Sequence, residues 1–178
     1  MRSALSHPMP SNIEIKARLH NRRFAEATAA RLSGSQPTVL KHQDIFFCCS
    51  GARLKLRILG PDHGELIRYE RPDVAGARRS NYLIARTSDP QVLLEILTAT
   101  LDKIGVVKKT RLLYLVGQTR IHIDEVENLG DFLELEVVLC PGQSETEGKT
   151  IAELLLSEFG IAGERLIAKA YIDLIGAR

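Results

Sequence analysis

Apolar and charged residues alternate with a period of two along Asn12-Ile13-Glu14-Ile15-Lys16-Ala17-Arg18. In a β-strand this places Glu14, Lys16 and Arg18 on one face and Ile13, Ile15 and Ala17 on the other. The pattern recurs. Arg53, Lys55 and Arg57 alternate with Leu54, Leu56 and Ile58, and Lys109 and Arg111 repeat the pattern on one face. Arg120, His122 and Asp124 share a face, as do Glu134 and Glu136. Several strands with one ionised and one apolar face suggest a sheet closed around a charged interior.

Turn residues divide these segments. Strands are expected over 12–19, 38–49, 53–59, 65–71, 78–86, 106–116, 119–124 and 132–139. A helix is expected over 21–33, with Gly34 as its stop. Asp89-Pro90 has the side chains of an N-cap and a first helical position, and opens a helix that Gly105 ends. Residues 141–148 are expected to form a polar loop, followed by helices over 151–159 and about 163–175. Short connections between neighbouring strands favour antiparallel pairing. The predicted class is α+β: a closed eight-stranded antiparallel β-barrel with flanking helices. A barrel closed with its charged faces inward needs a wet, ion-filled or ligand-filled interior, because unpaired buried charge is prohibitive. Alternation alone does not say which face points inward.

Composition narrows the function. The chain has 178 residues, 44% hydrophobic, enough for one ordinary domain with a real core. Residues 1–10 have no apolar stretch of the secretory kind and are expected to be a disordered lead-in to a single domain over 11–176. Net charge is +2 and Trp is absent, which gives little support to a nucleic-acid or membrane partner. No run is long enough for a membrane-spanning helix. Cys48, Cys49 and Cys140 lack metal-ligand spacing and are expected to be reduced, mostly structural residues of a cytoplasmic protein.

The motifs resemble the CYTH domain family of class IV adenylyl cyclases and thiamine triphosphatases, also called triphosphate tunnel metalloenzymes. The resemblance rests on Asn12-x-Glu14-x-Lys16, Arg53-x-Lys55-x-Arg57, Lys109-x-Arg111, Tyr114-Leu115-Val116-Gly117, Ile121-His122-Ile123-Asp124 and Leu129-Gly130-Asp131-Phe132-Leu133-Glu134-Leu135-Glu136. It runs from Asn12 to about Ile175, and the order and spacing of the motifs make it specific. It implies the tunnel fold with the charged faces inward.

The resemblance also implies roles. A triphosphate carries about four negative charges, best met by several cations at different angles, among them Arg with its bidentate phosphate contacts. Lys16, Arg53, Lys55, Arg57, Arg79, Lys109 and Arg111 are the implied triphosphate ligands, with Arg18 and Arg120 at a tunnel mouth. Glu14, Asp124, Glu134 and Glu136 are the implied ligands of Mg²⁺ or Mn²⁺, which prefer oxygen donors. Asp44 has the parity to orient a cation, and His122 is expected to be a hydrogen-bonded neighbour. The segment Lys169–Asp173 is expected to be either a lid or wall at the tunnel end or a plain core helix. A homodimer is an assembly known in the family, although no interface patch stands out.

Three positions depart from the family pattern. Asn12 replaces an acid, Glu70 stands where a Lys two residues before Pro is usual, and Arg79-Ser80-Asn81 replaces Arg-x-Glu. Arg68 or Arg71 could compensate for Glu70, but a one-residue shift reverses the face. The implied activity is metal-dependent conversion of ATP to cyclic AMP and pyrophosphate. The alternatives are hydrolysis of tripolyphosphate, thiamine triphosphate or a nucleoside triphosphate, and triphosphate binding without turnover.

Overall fold

A computed structural model of the chain describes residues 10–176. The expected lead-in falls on residues 1–9, outside the described residues, and on Pro10, whose carbonyl accepts from Tyr82 N at 3.2 Å. Eight strands are described: β1 (Ser11–Arg18), β2 (Thr38–Phe47), β3 (Arg53–Gly60), β4 (His63–Glu70), β5 (Arg78–Thr87), β6 (Lys103–Val116), β7 (Thr119–Val126) and β8 (Gly130–Val138). Their order is β1-β5-β4-β3-β2-β6-β7-β8, closed into a barrel. Every pairing is antiparallel. Two meanders, β2 to β5 and β6 to β8, are joined by the β2–β6 pair and by β1, which lies between β5 and β8. Closure removes the free edges.

Register sets the interior. Residues directly opposite one another in paired strands point to the same side. Glu14 is opposite Glu136 and Arg78, and Lys16 is opposite Glu134. His122 is opposite Glu134, Arg111 opposite Asp124, and Asp44 opposite Arg57. The faces that carry Glu14, Lys16, Asp44, Arg57, Arg111, His122 and Glu134 line the barrel interior.

The apolar core accordingly lies outside the barrel, beneath helices α1 (Arg22–Ser33), α2 (Pro90–Thr100) and α3 (Glu145–Glu158). Ala25 and Ala29 of α1, with Phe159 after α3, pack on Tyr114, Ile121, Ile123, Leu133 and Leu135. Ala152 of α3 covers Ile13, Ile15 and Val137, and Leu97 of α2 covers Ile45, Phe47 and Leu56. Burying such side chains contributes roughly 1.5–3 kcal/mol each, so the inverted barrel draws its stability from its outer face. Among the described residues no helix is long and apolar enough to cross a membrane.

The caps explain the helix starts. Asn21 Oδ1 accepts from Phe24 N at 3.0 Å and Asp89 Oδ1 from Val92 N at 3.1 Å. Ser144 forms a capping box with Glu147. The box starts α3 at Glu145, inside the expected loop. Gly148 is then helical, where a Cβ would lie 2.6 Å from both Ile13 Cγ1 and Leu139 Cδ2. Two further expectations are corrected. Helix α2 ends at Thr100, and Gly105 belongs to β6 opposite Phe46. The single helix expected over 163–175 is instead a 3₁₀ turn (Gly163–Arg165), an extended stretch and a short α4 (Tyr171–Ile175). In the extended stretch Ile167 N donates to Lys16 O at 2.8 Å, so contact with β1 replaces helical bonding. Strand β2 stops at Phe47, and Cys48, Cys49 and Cys140 are free and exposed, not structural.

Candidate functional site

The barrel encloses a cavity of about 420 Å³ whose wall is dominated by ionisable side chains. On β2 and β3, Asp44 accepts from Lys55 Nζ at 2.8 Å and from Arg57 Nε and Nη2 at 2.8 and 3.1 Å. Burial alone would raise the Asp44 carboxyl, but Lys55 and Arg57 hold it well below the usual carboxylate range. Burial and the neighbouring Arg57 charge push the Lys55 ammonium down to about 7, against the pull of Asp44. Burial, Arg57 and Lys109 likewise push His42 down to about 2, so its imidazole is neutral.

A second cluster spans β6, β7 and β8. Arg111 donates to both Asp124 oxygens at 2.6 Å and to Glu134 Oε2 at 2.7 Å. Lys109 Nζ lies 3.4 Å from Asp124 Oδ2, and Lys16 Nζ 3.4 Å from Glu134 Oε1. Burial would raise Glu134, yet Lys16 and Arg111 among its neighbours hold it well below its ordinary value. A third cluster holds Glu14, whose Oε1 lies 3.1 Å from Arg71 Nε and from Arg78 Nη2. Here burial and the Glu134 charge prevail over the cations and raise the Glu14 pKa.

The two ends differ. The C-terminal segment closes one end: Lys16 Nζ and Lys109 Nζ sit 3.9 and 5.1 Å from the centre of the Tyr171 ring, which meets Phe132 edge-on at 4.9 Å. The tail meets both expected alternatives: Ala170 and Tyr171 line the cavity, and Tyr171 and Ile172 of its short helix sit in a buried apolar cluster. Leu40, six residues from Phe46 on β2, and Ile84, six residues from Arg78 on β5, mark the opposite end, where Tyr82 and Leu113 also line the cavity.

The expected site residues separate clearly. Lys16, Lys55, Arg57, Lys109 and Arg111 line one cavity. Arg53 lies at the closed end, bonded to Asp73 at 2.6 Å and Asp173 at 2.9 Å. Arg18 donates to Leu129 O at 2.9 Å beside Phe132. Arg120 is half-exposed, 3.4 Å from Glu136. Arg79 is corrected: it is exposed on the outer face, bonded to Asn81, because the register brings Arg78 rather than Arg79 opposite Glu14. Asn81 faces outward with it, and Ser80 is the inward residue. Arg71 is the buried cation near Pro72, while Glu70 pairs with Arg68 outside.

The expected metal acids do not converge as a group of four. The Asp124 oxygens are shared among Arg111, Lys109 and Tyr171, Glu14 is engaged by Arg71 and Arg78, and Glu134 by Arg111 and Lys16, so spacing rather than free oxygens singles out a group. The donors that converge are Glu134, Glu136 and His122, with ligand atoms all within 4.8 Å of one another. His122 Nδ1 is buried with no hydrogen-bond partner, as is Asn12 Oδ1. Two carboxylates and an imidazole nitrogen with an unused bond fit a divalent cation. His122 shares the parity of Asp124 and Arg120, and that parity was its one sequence signal. Tyr171, beyond any strand pattern, had none.

Solved structures share this architecture. PH1012 from Pyrococcus horikoshii OT3 is 26% identical, with a TM-score of 0.81 over 92% of this chain and 98% of that one. A candidate adenylate cyclase from Vibrio parahaemolyticus is 17% identical, with a TM-score of 0.71 over 96% and 99%. The S. pombe RNA triphosphatase Pct1 is 11% identical, with a TM-score of 0.51 over 88% and 84%. At these two lower identities the likeness is one of fold. No curated protein matches the chain. The profile of the CYTH domain matches residues 11–171, almost the whole barrel and its C-terminal wall, and the chain belongs to the CYTH domain family.

Proposed function

We propose that the tunnel binds the triphosphate of ATP and, with a divalent cation at Glu134 and Glu136, converts it to cyclic AMP and pyrophosphate. The observation that carries this reading is the meeting of Lys16, Lys55, Arg57, Lys109 and Arg111 around one cavity. They arrive from β1, β3 and β6, at different angles, as a chain of three phosphates requires. In the absence of ligand their charge is offset by Asp44, Asp124 and Glu134, which keeps a buried cationic wall affordable. A nucleotide rather than an inorganic chain is favoured by Leu40, Tyr82, Ile84 and Leu113 at the end away from Tyr171, an apolar surface for a base.

Cyclisation requires the ribose 3′-hydroxyl in line with the leaving pyrophosphate. Arg57, Lys109 and Arg111 hold the phosphates and stabilise charge that develops on the leaving oxygens. The cation, when bound, polarises the phosphoryl oxygens. The blind end at Tyr171 limits how deep the phosphates travel.

Product analysis with ATP and with tripolyphosphate, each with Mg²⁺ and with Mn²⁺, tests the proposal. Cyclic AMP with stoichiometric pyrophosphate supports it. Orthophosphate without cyclic AMP makes the protein a triphosphatase, and saturable binding without product makes it a triphosphate-binding module.

A further inference from the structure

Nδ1 of His122 is a buried nitrogen with no hydrogen-bond partner. It lies 3.7 Å from Glu136 Oε1 and 3.9 Å from Glu134 Oε2, too far for hydrogen bonds. Donors around an ion at about 2.0–2.2 Å lie roughly 3 to 4.3 Å apart, depending on the angle between them. Both His122 distances are in that range, and one ligand atom from each of the three residues lies within 4.8 Å of the others. Adjacent strands fix this: His122 is opposite Glu134 on β7 and β8, and Glu136 is two residues further along the same face. Arg111 and Lys16 engage Glu134, and Arg120 approaches Glu136 through Oε2, leaving Glu136 Oε1 directed at His122.

We propose that His122, Glu134 and Glu136 form a mixed nitrogen–oxygen site that selects a transition-metal ion such as Mn²⁺ or Co²⁺ over Mg²⁺. Two carboxylates match the charge of a divalent ion. Imidazole nitrogen suits first-row transition ions, whereas Mg²⁺ demands oxygen donors and gives up water reluctantly. The remaining positions are open to water or phosphate oxygens. The inference rests on the tunnel reading for its biological meaning and on the three donors for its geometry.

The test is Mn²⁺ binding to the metal-stripped full chain, followed by electron paramagnetic resonance, with Mg²⁺ as competitor. The expected result is ¹⁴N modulation from one imidazole in the pulsed spectrum of bound Mn²⁺, and displacement only by a large excess of Mg²⁺. His122→Ala should abolish the ¹⁴N signal and weaken Mn²⁺ on the order of tenfold or more, with little effect on Mg²⁺. Bound Mn²⁺ without ¹⁴N coupling in the wild-type protein overturns the inference, and that readout does not depend on whether the variant folds. Absence of Mn²⁺ binding, or equal displacement by Mg²⁺, overturns it as well. Calorimetry with tripolyphosphate separates the two readings. Triphosphate binding without ¹⁴N coupling removes only the His122 ligand. Coupling without ATP or triphosphate binding removes only the tunnel function.

Discussion

The Tyr171 hydroxyl donates to Asp124 Oδ2 at 3.0 Å, joining the C-terminal wall to the central ion cluster of the barrel. Burial and the Asp124 charge raise the phenol well above its ordinary pKa, so it stays a donor. Tyr171→Phe keeps the ring against Lys16, Lys109 and Phe132 and loses only this bond, costing about 1.5–3 kcal/mol, as for a hydrogen bond to a charged group. Tyr171→Ala also loses the ring and should cost about 3–5 kcal/mol. Urea denaturation of both variants checks the order, and equal losses would mean that the ring contributes nothing.

Arg78 and Arg79 are neighbours in sequence on opposite faces of β5. Arg78→Ala removes a buried partner of Glu14 and should destabilise on the order of 3 kcal/mol. Arg79→Ala removes an exposed side chain and should stay within about 0.5 kcal/mol. Thermal unfolding of the pair reports the β1–β5 register directly. The reverse order would shift it by one residue.

Lys55 links proton uptake to stability and to binding. Its pKa is about 7 in the fold, against an ordinary 10.5. Between these values the unfolded chain holds a proton that the folded chain lacks, so this group's contribution to stability rises with pH across the window and is flat below about 7. Wild-type stability should therefore increase relative to Lys55→Met between pH 7 and about 9.5. A bound triphosphate favours the ammonium form, so binding above pH 7 should take up a proton and weaken as pH rises. Calorimetry in buffers of different ionisation enthalpy measures this uptake, which Lys55→Met should abolish.

Glu136 has fewer structural partners than Glu134, since among the described residues Arg120 and His122 are the ion-pair partners of its carboxylate. Glu136→Gln should therefore remove metal-dependent turnover by a factor of at least about 100 while leaving the unfolding midpoint nearly unchanged. Turnover at the wild-type rate would exclude Glu136 as a metal ligand. A collapse in stability would make it structural.

The alternation in β1, β3, β7 and β8 made the barrel legible from local chemistry, because strand period and side-chain parity are properties of consecutive residues. The Asp89-Pro90 helix start and the cationic set Lys16, Lys55, Arg57, Lys109 and Arg111 were visible for the same reason. Pairing across the barrel lay beyond local chemistry. Strand β5 has polar residues on both faces, so only its register with Glu14 distinguishes Arg78 from Arg79. Asp124 has the parity of a metal ligand, yet Arg111, Lys109 and Tyr171 use its oxygens, and all three lie on other elements, β6 and α4. His122 became a candidate ligand only when β8 placed two carboxylates beside it, and Tyr171 reached the tunnel only because the tail pairs with β1 instead of continuing as a helix. A charged residue's parity is written in its neighbours along the chain. Its partner depends on which distant strand lies beside it, and closure of the barrel sets that.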